Sequence, residues 1–174
     1  MTIETIADTV KQLQNKYDET DPFRLAKAMK ITVKLRPMGI YEGCCKGFFL
    51  ISRRMKHITI NSDLPELLQK VVLSHELGHC VLHADSAARA PFHEVTLFDN
   101  TDHKEYEANI FASQVALPDD DFLELAERGY DTQQIARTLN SDINLVALKA
   151  DTLISQGFRL RPQEHCNDFL RYNR

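Results

Sequence analysis

His75-Glu76-Leu77-Gly78-His79 is the stretch on which the reading of this chain turns. On an α-helix, residues four apart lie on one face a turn apart, so both imidazoles can reach a single metal ion. Glu76 then projects beside them, placed to take a proton from a water polarised there. A chance match on a core helix would carry the same letters, so the surroundings have to support the chemistry. Ser62 or Asp63 offers an N-cap, Pro65 suits a first turn where its missing N–H costs nothing, and Glu66 favours the positive helix end. The apolar stripe Leu64, Leu67, Leu68, Val71, Val72 and Leu82 runs through His75 and His79, directing both imidazoles inward. Buried imidazoles need polar partners, and a metal satisfies two at once. Gly78 costs about 1 kcal/mol relative to Ala inside a helix. Close approach of another segment at the site accounts for it.

Two histidines do not complete a catalytic zinc site, which takes three protein ligands and keeps one position open. One known solution places a glycine three residues and a histidine six residues past the second histidine. Leu82 and Asp85 stand there instead. His83 lies eight residues from His75, roughly 12 Å along a helix axis, too far to share one ion with it. It reads instead as a partner of a ligand, a cation at the helix C-terminus or a surface residue. The third ligand is sought in Glu105-Tyr106-Glu107-Ala108-Asn109-Ile110-Phe111-Ala112, the next strongly helical stretch. Glu105, Ala108, Asn109, Ala112 and Val115 share a face whose small residues allow close helix packing. Asn109, four residues after Glu105, can hydrogen-bond a ligand. Glu107 projects away from that face beside Ile110 and Phe111. Glu105 has a competing role, completing a capping box with Asp102.

His57-Ile58-Thr59-Ile60-Asn61, the His75–His79 motif with Leu82-His83, the run Glu105-x-Glu107-Ala108-Asn109-x-Phe111-Ala112 and Leu117-Pro118 together resemble the ImmA/IrrE family of metallopeptidases. The resemblance spans roughly residues 20 to 155. It implies zinc held by His75, His79 and Glu105, with Glu76 as general base. It also implies an endopeptidase that cleaves a helix-turn-helix repressor in a mobile element or stress response. The fold it implies is α+β and zincin-like: a small antiparallel sheet, the H-E-x-x-H helix and C-terminal helical segments. The ligand types are compatible with Mn, Fe or Co as well. The rival reading is a non-catalytic zinc module that regulates by binding its partner. Glu76 argues against it, since a structural site has no use for a base.

Length and composition fit one intracellular domain over residues 1–155, with residues 156–174 as a tail. Met1 to Val10 lacks the basic and apolar regions of a signal peptide, and no apolar run is long enough for a membrane span. The expected location is the cytoplasm. A net charge of −4 argues against broad binding to nucleic acid or anionic membrane. Cys44, Cys45, Cys80 and Cys166 lack C-x-x-C spacing, and cytosolic thiols stay reduced. Cys80 points about 100° round the helix from His79 and reads as a small buried hydrophobe. Cys44 and Cys45 read as turn residues, with a thiol at the open zinc position as the alternative.

Residues 3–17 and 22–30 read as helices; residues 31–36, 46–52 and 56–61 read as strands, the last two joined at Ser52-Arg53-Arg54-Met55. A sheet edge beside a zinc cleft can hold an extended peptide by main-chain pairing. Residues 84–100 form a loop that either covers the cleft or lacks a role. His93, His103, Tyr41 and Tyr106 are each chemically able to stabilise an oxyanion, and the sequence does not choose among them. Segments 119–128, 132–139 and 143–154 read as helices, the last two faintly outlining a helix-turn-helix without a basic face.

Overall fold

In the computed structural model, residues 1–84 and 103–160 are described. Residues 85–100 of the long loop, His93, Asp102, Cys166 and the tail beyond 160 fall outside them. Helix α1 (Ile3–Tyr17) starts at Thr2, whose hydroxyl accepts the Thr5 N–H, and ends on Asp18 in the left-handed region. Helix α2 (Pro22–Ala28) has proline first and Asp21 accepting from Phe23 and Arg24.

Strands β1 (Thr32–Arg36), β2 (Gly47–Ser52) and β3 (Met55–Asn61) form one sheet in the order β1-β3-β2. β2 and β3 make an antiparallel hairpin. Arg53 and Arg54 turn it with φ of 50° and 64°, the left-handed pair that a two-residue hairpin turn needs. β1 runs parallel to β3, with Val33 opposite Ile58. The sheet is therefore mixed, not antiparallel as expected. The cause is the 37–46 connection, which carries the chain past β3 so that β2 lands on its far side. A single buried amide organises that connection. Asn61 Nδ2 donates to the Gly39 and Cys45 carbonyls at 2.8 and 3.1 Å, and its Oδ1 accepts the Met38 and Asp63 N–H groups.

Helix α3 (Glu66–Leu82) carries the motif. Its N-cap position is Pro65, with no side-chain cap, rather than Ser62 or Asp63. Asp63 is engaged elsewhere, accepting the Gly39 N–H at 2.7 Å. Helix α4 (His103–Ala116) packs chiefly on α3 and also meets α1 and the last helix. It is buried on every side, including Glu105, Glu107, Asn109, Ser113 and Gln114, rather than along one face. Such a helix shows little amphipathic signal because no side of it faces water.

Helices α5 (Asp119–Glu127), α6 (Thr132–Thr138) and α7 (Ile143–Ser155) close the described chain. Asp131 and Gln134 form a capping box on α6, and Asp142 caps α7. Leu145 to Ala150 of α7, in the second helix of the faint helix-turn-helix outline, are all buried, so that stretch is not free to enter a groove. Ile58, Ile60, Val72, Leu73, Leu77, Ile110 and Phe111 lie in the main apolar core, each fully buried. Among the described residues no helix is long and apolar enough to cross a membrane.

Candidate metal centre

The site forms where α3 and α4 touch. Gly78 has no side chain at the contact, and a Cβ there would lie 3.0 Å from Ala108 Cα and 3.2 Å from its carbonyl oxygen. Backbone therefore meets backbone, as the glycine suggested. The close approach brings Glu105 onto the histidine pair. His75 Nε2 and His79 Nε2 are 2.9 Å apart, and each lies 3.2 Å from one Glu105 carboxylate oxygen. This is a convergent His-His-Glu donor set, and all three residues are buried.

The far side of each imidazole decides what its Nε2 can do. His75 Nδ1 lies 2.8 Å from Asn109 Oδ1. An amide oxygen only accepts, so Nδ1 donates to it and Nε2 is the nitrogen turned toward His79 and Glu105. His79 Nδ1 meets His83 Nδ1 at 3.1 Å, and His83 Nε2 meets Glu107 Oε2 at 2.8 Å. His83 is thus the hydrogen-bond partner of His79. Glu107 is not turned away among apolar neighbours as expected; it is the buried terminus of this chain of bonds. It also receives the N-terminal ammonium of Met1, with His103 Nε2 at 3.6 Å. The signal that could have found it was His83, four residues past His79 on the same helical stripe.

These residues fit a divalent cation. Two imidazole nitrogens and two carboxylate oxygens face one another at 2.9–3.2 Å. Tetrahedral sites with ligand distances near 2.1 Å set donor atoms roughly 3.4 Å apart, a small outward adjustment from these contacts. Glu76 lies beside the set, buried, with its Oε1 lacking a hydrogen-bond partner among the described residues. Burial pushes its carboxyl up to about 7, with His79 opposing the rise and Glu105 adding to it. Burial also pushes the His83 imidazole down, against the hydrogen bond to Glu107. At Glu107 burial acts upward, but the bonds from His83 and the N-terminus outweigh it and hold the carboxyl below its ordinary value.

Among the described residues no cysteine joins this cluster. Cys80 is fully buried in the core, and the Cys45 thiol lies 3.6 Å from the Gly47 carbonyl oxygen. Of the residues considered for an oxyanion, Tyr41 is 66% exposed on its loop and His103 faces Glu107.

Comparison with known proteins agrees with this geometry. The peptidase family described as Peptidase_M78, IrrE N-terminal-like domain, matches residues 26–150. An uncharacterized immunity region protein 2 of Bacillus phage phi105 is 40% identical over 115 residues, covering 66% of this chain and 69% of the phage protein. The chain belongs to the Peptidase_M78 family, a class of peptidases.

Proposed function

We propose that this chain is a zinc-dependent endopeptidase whose substrate is a helix-turn-helix transcriptional repressor. The observation that carries the reading is the meeting of His75, His79 and Glu105 beside buried Glu76, whose Oε1 has no hydrogen-bond partner among the described residues. His75 and His79 would hold the ion through Nε2, and Glu105 through its carboxylate. The ion supplies Lewis acidity to the scissile carbonyl and to water. Glu76 takes the proton of the attacking water and returns it to the leaving amine. A carboxyl raised toward neutrality suits both transfers.

A purely structural zinc site usually closes all four positions with protein. Among the described residues three donors are brought together, which supports a site with an open position. The repressor part of the reading draws on the phage relative, whose name places it in an immunity region. A cytoplasmic location follows from a repressor substrate. The acidic chain and the buried α7 argue against DNA as a direct ligand.

Incubating the zinc-loaded protein with the repressor of the same locus and mapping fragments by mass spectrometry tests this. One cut in an extended segment outside the DNA-binding core is expected, since packed helices present no free strand. An intact repressor alongside general digestion of unfolded casein would overturn the substrate. Relief of repression by wild type and by Glu76→Gln alike, with the repressor full length, would overturn the enzyme in favour of a binding regulator.

A further inference from the structure

Charge is spread unevenly along this chain. Residues 30–61, which hold the sheet and its connections, carry seven Lys or Arg against Glu42 alone. That segment is +6 within a chain of −4, so the remainder carries −10. Three of the cations gather at one end of the sheet. Arg53 and Arg54 form the turn between β2 and β3, and the parallel register sets Thr32 opposite His57, which brings Lys30 to the same end. All three are exposed. Several basic side chains of the helices sit against carboxylates: Arg24 with Glu19, Lys70 with Asp21 and Glu66, Arg128 with Glu124. Lys30, Arg53 and Arg54 form no ion pair among the described residues, nor does exposed Lys34 on β1. The backbone adds a second observation. Both turn residues are left-handed, at φ 50° and 64°, where Asn-Gly is the favoured pair and a Cβ is penalised. Lys30 is left-handed too, at φ 59°. The fold thus accepts local strain at three positions and sets a cation at each, the kind of strain that gathers at functional sites. Met55, next to the turn, is 55% exposed, and Leu35, next to Lys34 on the edge strand, is 50% exposed.

We propose that this end of the sheet, with Lys30, Arg53 and Arg54, is a docking surface for an acidic segment of the protein substrate. That the partner is the repressor rests on the function proposed above; the surface itself does not. Unpaired cations attract carboxylates, and Met55 and Leu35 offer contact to apolar side chains interspersed among them. A phosphate backbone has no use for such aliphatic groups. A DNA duplex would also extend over the remainder of the chain, whose −10 charge repels it, whereas a short segment meets the cations alone. A second copy of this chain would set like charge against like at the same surface. None of these residues belongs to the His-His-Glu set. Docking there raises the encounter rate and the local concentration of substrate, so it acts on KM and leaves kcat alone.

The test uses the full chain with Arg53→Asn and Arg54→Gly together, which supply the favoured turn and remove both charges. The thermal midpoint should rise by about 2–4 °C. Binding should move the opposite way. A fluorescein-labelled peptide of about twelve residues, alternating Glu and Leu, should bind the double variant about tenfold more weakly than wild type by anisotropy at low salt. Arg53→Lys with Arg54→Lys should restore most of that affinity. In turnover of the same locus's repressor, Asn-Gly at the turn should raise KM about tenfold with kcat unchanged. A short peptide spanning only the cut should be processed by both proteins within twofold. Equal binding of the Glu-Leu peptide to wild type and double variant would overturn the docking surface. So would a duplex of about 20 base pairs, or a phosphatidylserine vesicle, bound through Arg53 and Arg54 more tightly than the peptide. Peptide binding that depends on the two arginines, with a repressor neither bound nor cut, would leave the surface standing and sink the repressor as substrate. A repressor cut by both proteins with equal KM would keep the substrate and remove the surface.

Discussion

Helix α4 buries polar groups at both of its ends, and the two ends treat them differently. Near its C-terminus Gln114 Oε1 accepts from Lys149 Nζ at 2.6 Å, and the same ammonium is paired with Asp119. Lys149 is 1% exposed, so one charge from α7 ties α4 to the start of α5. Burial lowers the pKa of its ammonium, with Asp119 opposing. Donor and acceptors are matched there, and the cluster is a clamp. Near its N-terminus α4 contributes Glu105 to a group that converges from two helices: its carboxylate oxygens lie 3.2 Å from the His75 and His79 Nε2 atoms, with buried Glu76 beside them. A buried cluster balanced within itself holds a fold together. A buried cluster of possible metal-ligating atoms that converge on one point is of a different kind, and that difference separates the two ends of this helix.

The contrast is broken most severely by Glu76→Gln. Turnover should fall by about 10²–10⁴-fold, the usual contribution of a general base, measured as kcat on the proposed repressor substrate. The thermal midpoint should hold or rise, since a buried carboxylate is replaced by a neutral amide. At the other end Asp119→Ala should do the reverse, sparing kcat per folded molecule while costing roughly 3 kcal/mol by urea unfolding. That figure is the low end of the cost of stranding a buried charge, because Gln114 stays in place.

The same clamp gives a pH signature. Lys149 binds its proton more weakly folded than unfolded, so between its lowered folded pKa and about 10.5 the unfolded chain holds more protons. The cost of burying the ammonium is thus complete below the folded pKa and fades as pH rises through that window. The stability gap between wild type and Asp119→Asn should therefore narrow as pH rises from 7 toward 10, followed by urea titrations. A gap that widens would mean Lys149 is not the group being stranded.

Metal addition sharpens the comparison from the other side. Zinc at about 100 times its Kd should stabilise the wild-type fold by about 2.7 kcal/mol, read from the thermal midpoint and reversed by chelator. Asp119→Ala should keep that increment, while His75→Ala should lose it. Last, Gly78→Ala should cost about 1–3 kcal/mol by forcing the helices apart, and part of the zinc increment should go with it.

The donor residues were legible because they are local: H-E-x-x-H is a spacing on one helix, and Glu105 and Asn109 are one turn apart on another. Helix limits were legible for the same reason, with Asp21, Asp131 and Asp142 capping as their residue types favour. What stayed hidden depends on contacts between distant segments. The parallel pairing of β1 with β3 leaves no mark in either strand, since alternation reports a buried face and not a neighbour's direction. Asp63 looked like an N-cap because its side chain could serve as one, but the loop at Gly39 had claimed it. Glu107 was misplaced because α4 was read as having a solvent side, whereas α1, α3 and α7 surround it.

The bare contact at Gly78 and Ala108 has a consequence for anyone wishing to transplant this centre. With side chains between them, two helices settle at a distance that shifts as those side chains change rotamer. Here main chain rests on main chain, so the spacing of the histidines from Glu105 is set by the stiffest parts of both helices. A graft that copied His75, Glu76, His79 and Glu105 onto an ordinary helix pair would inherit the ligands without the gauge that spaces them. Gly78 and Ala108 belong to the centre as much as the residues that would touch the ion.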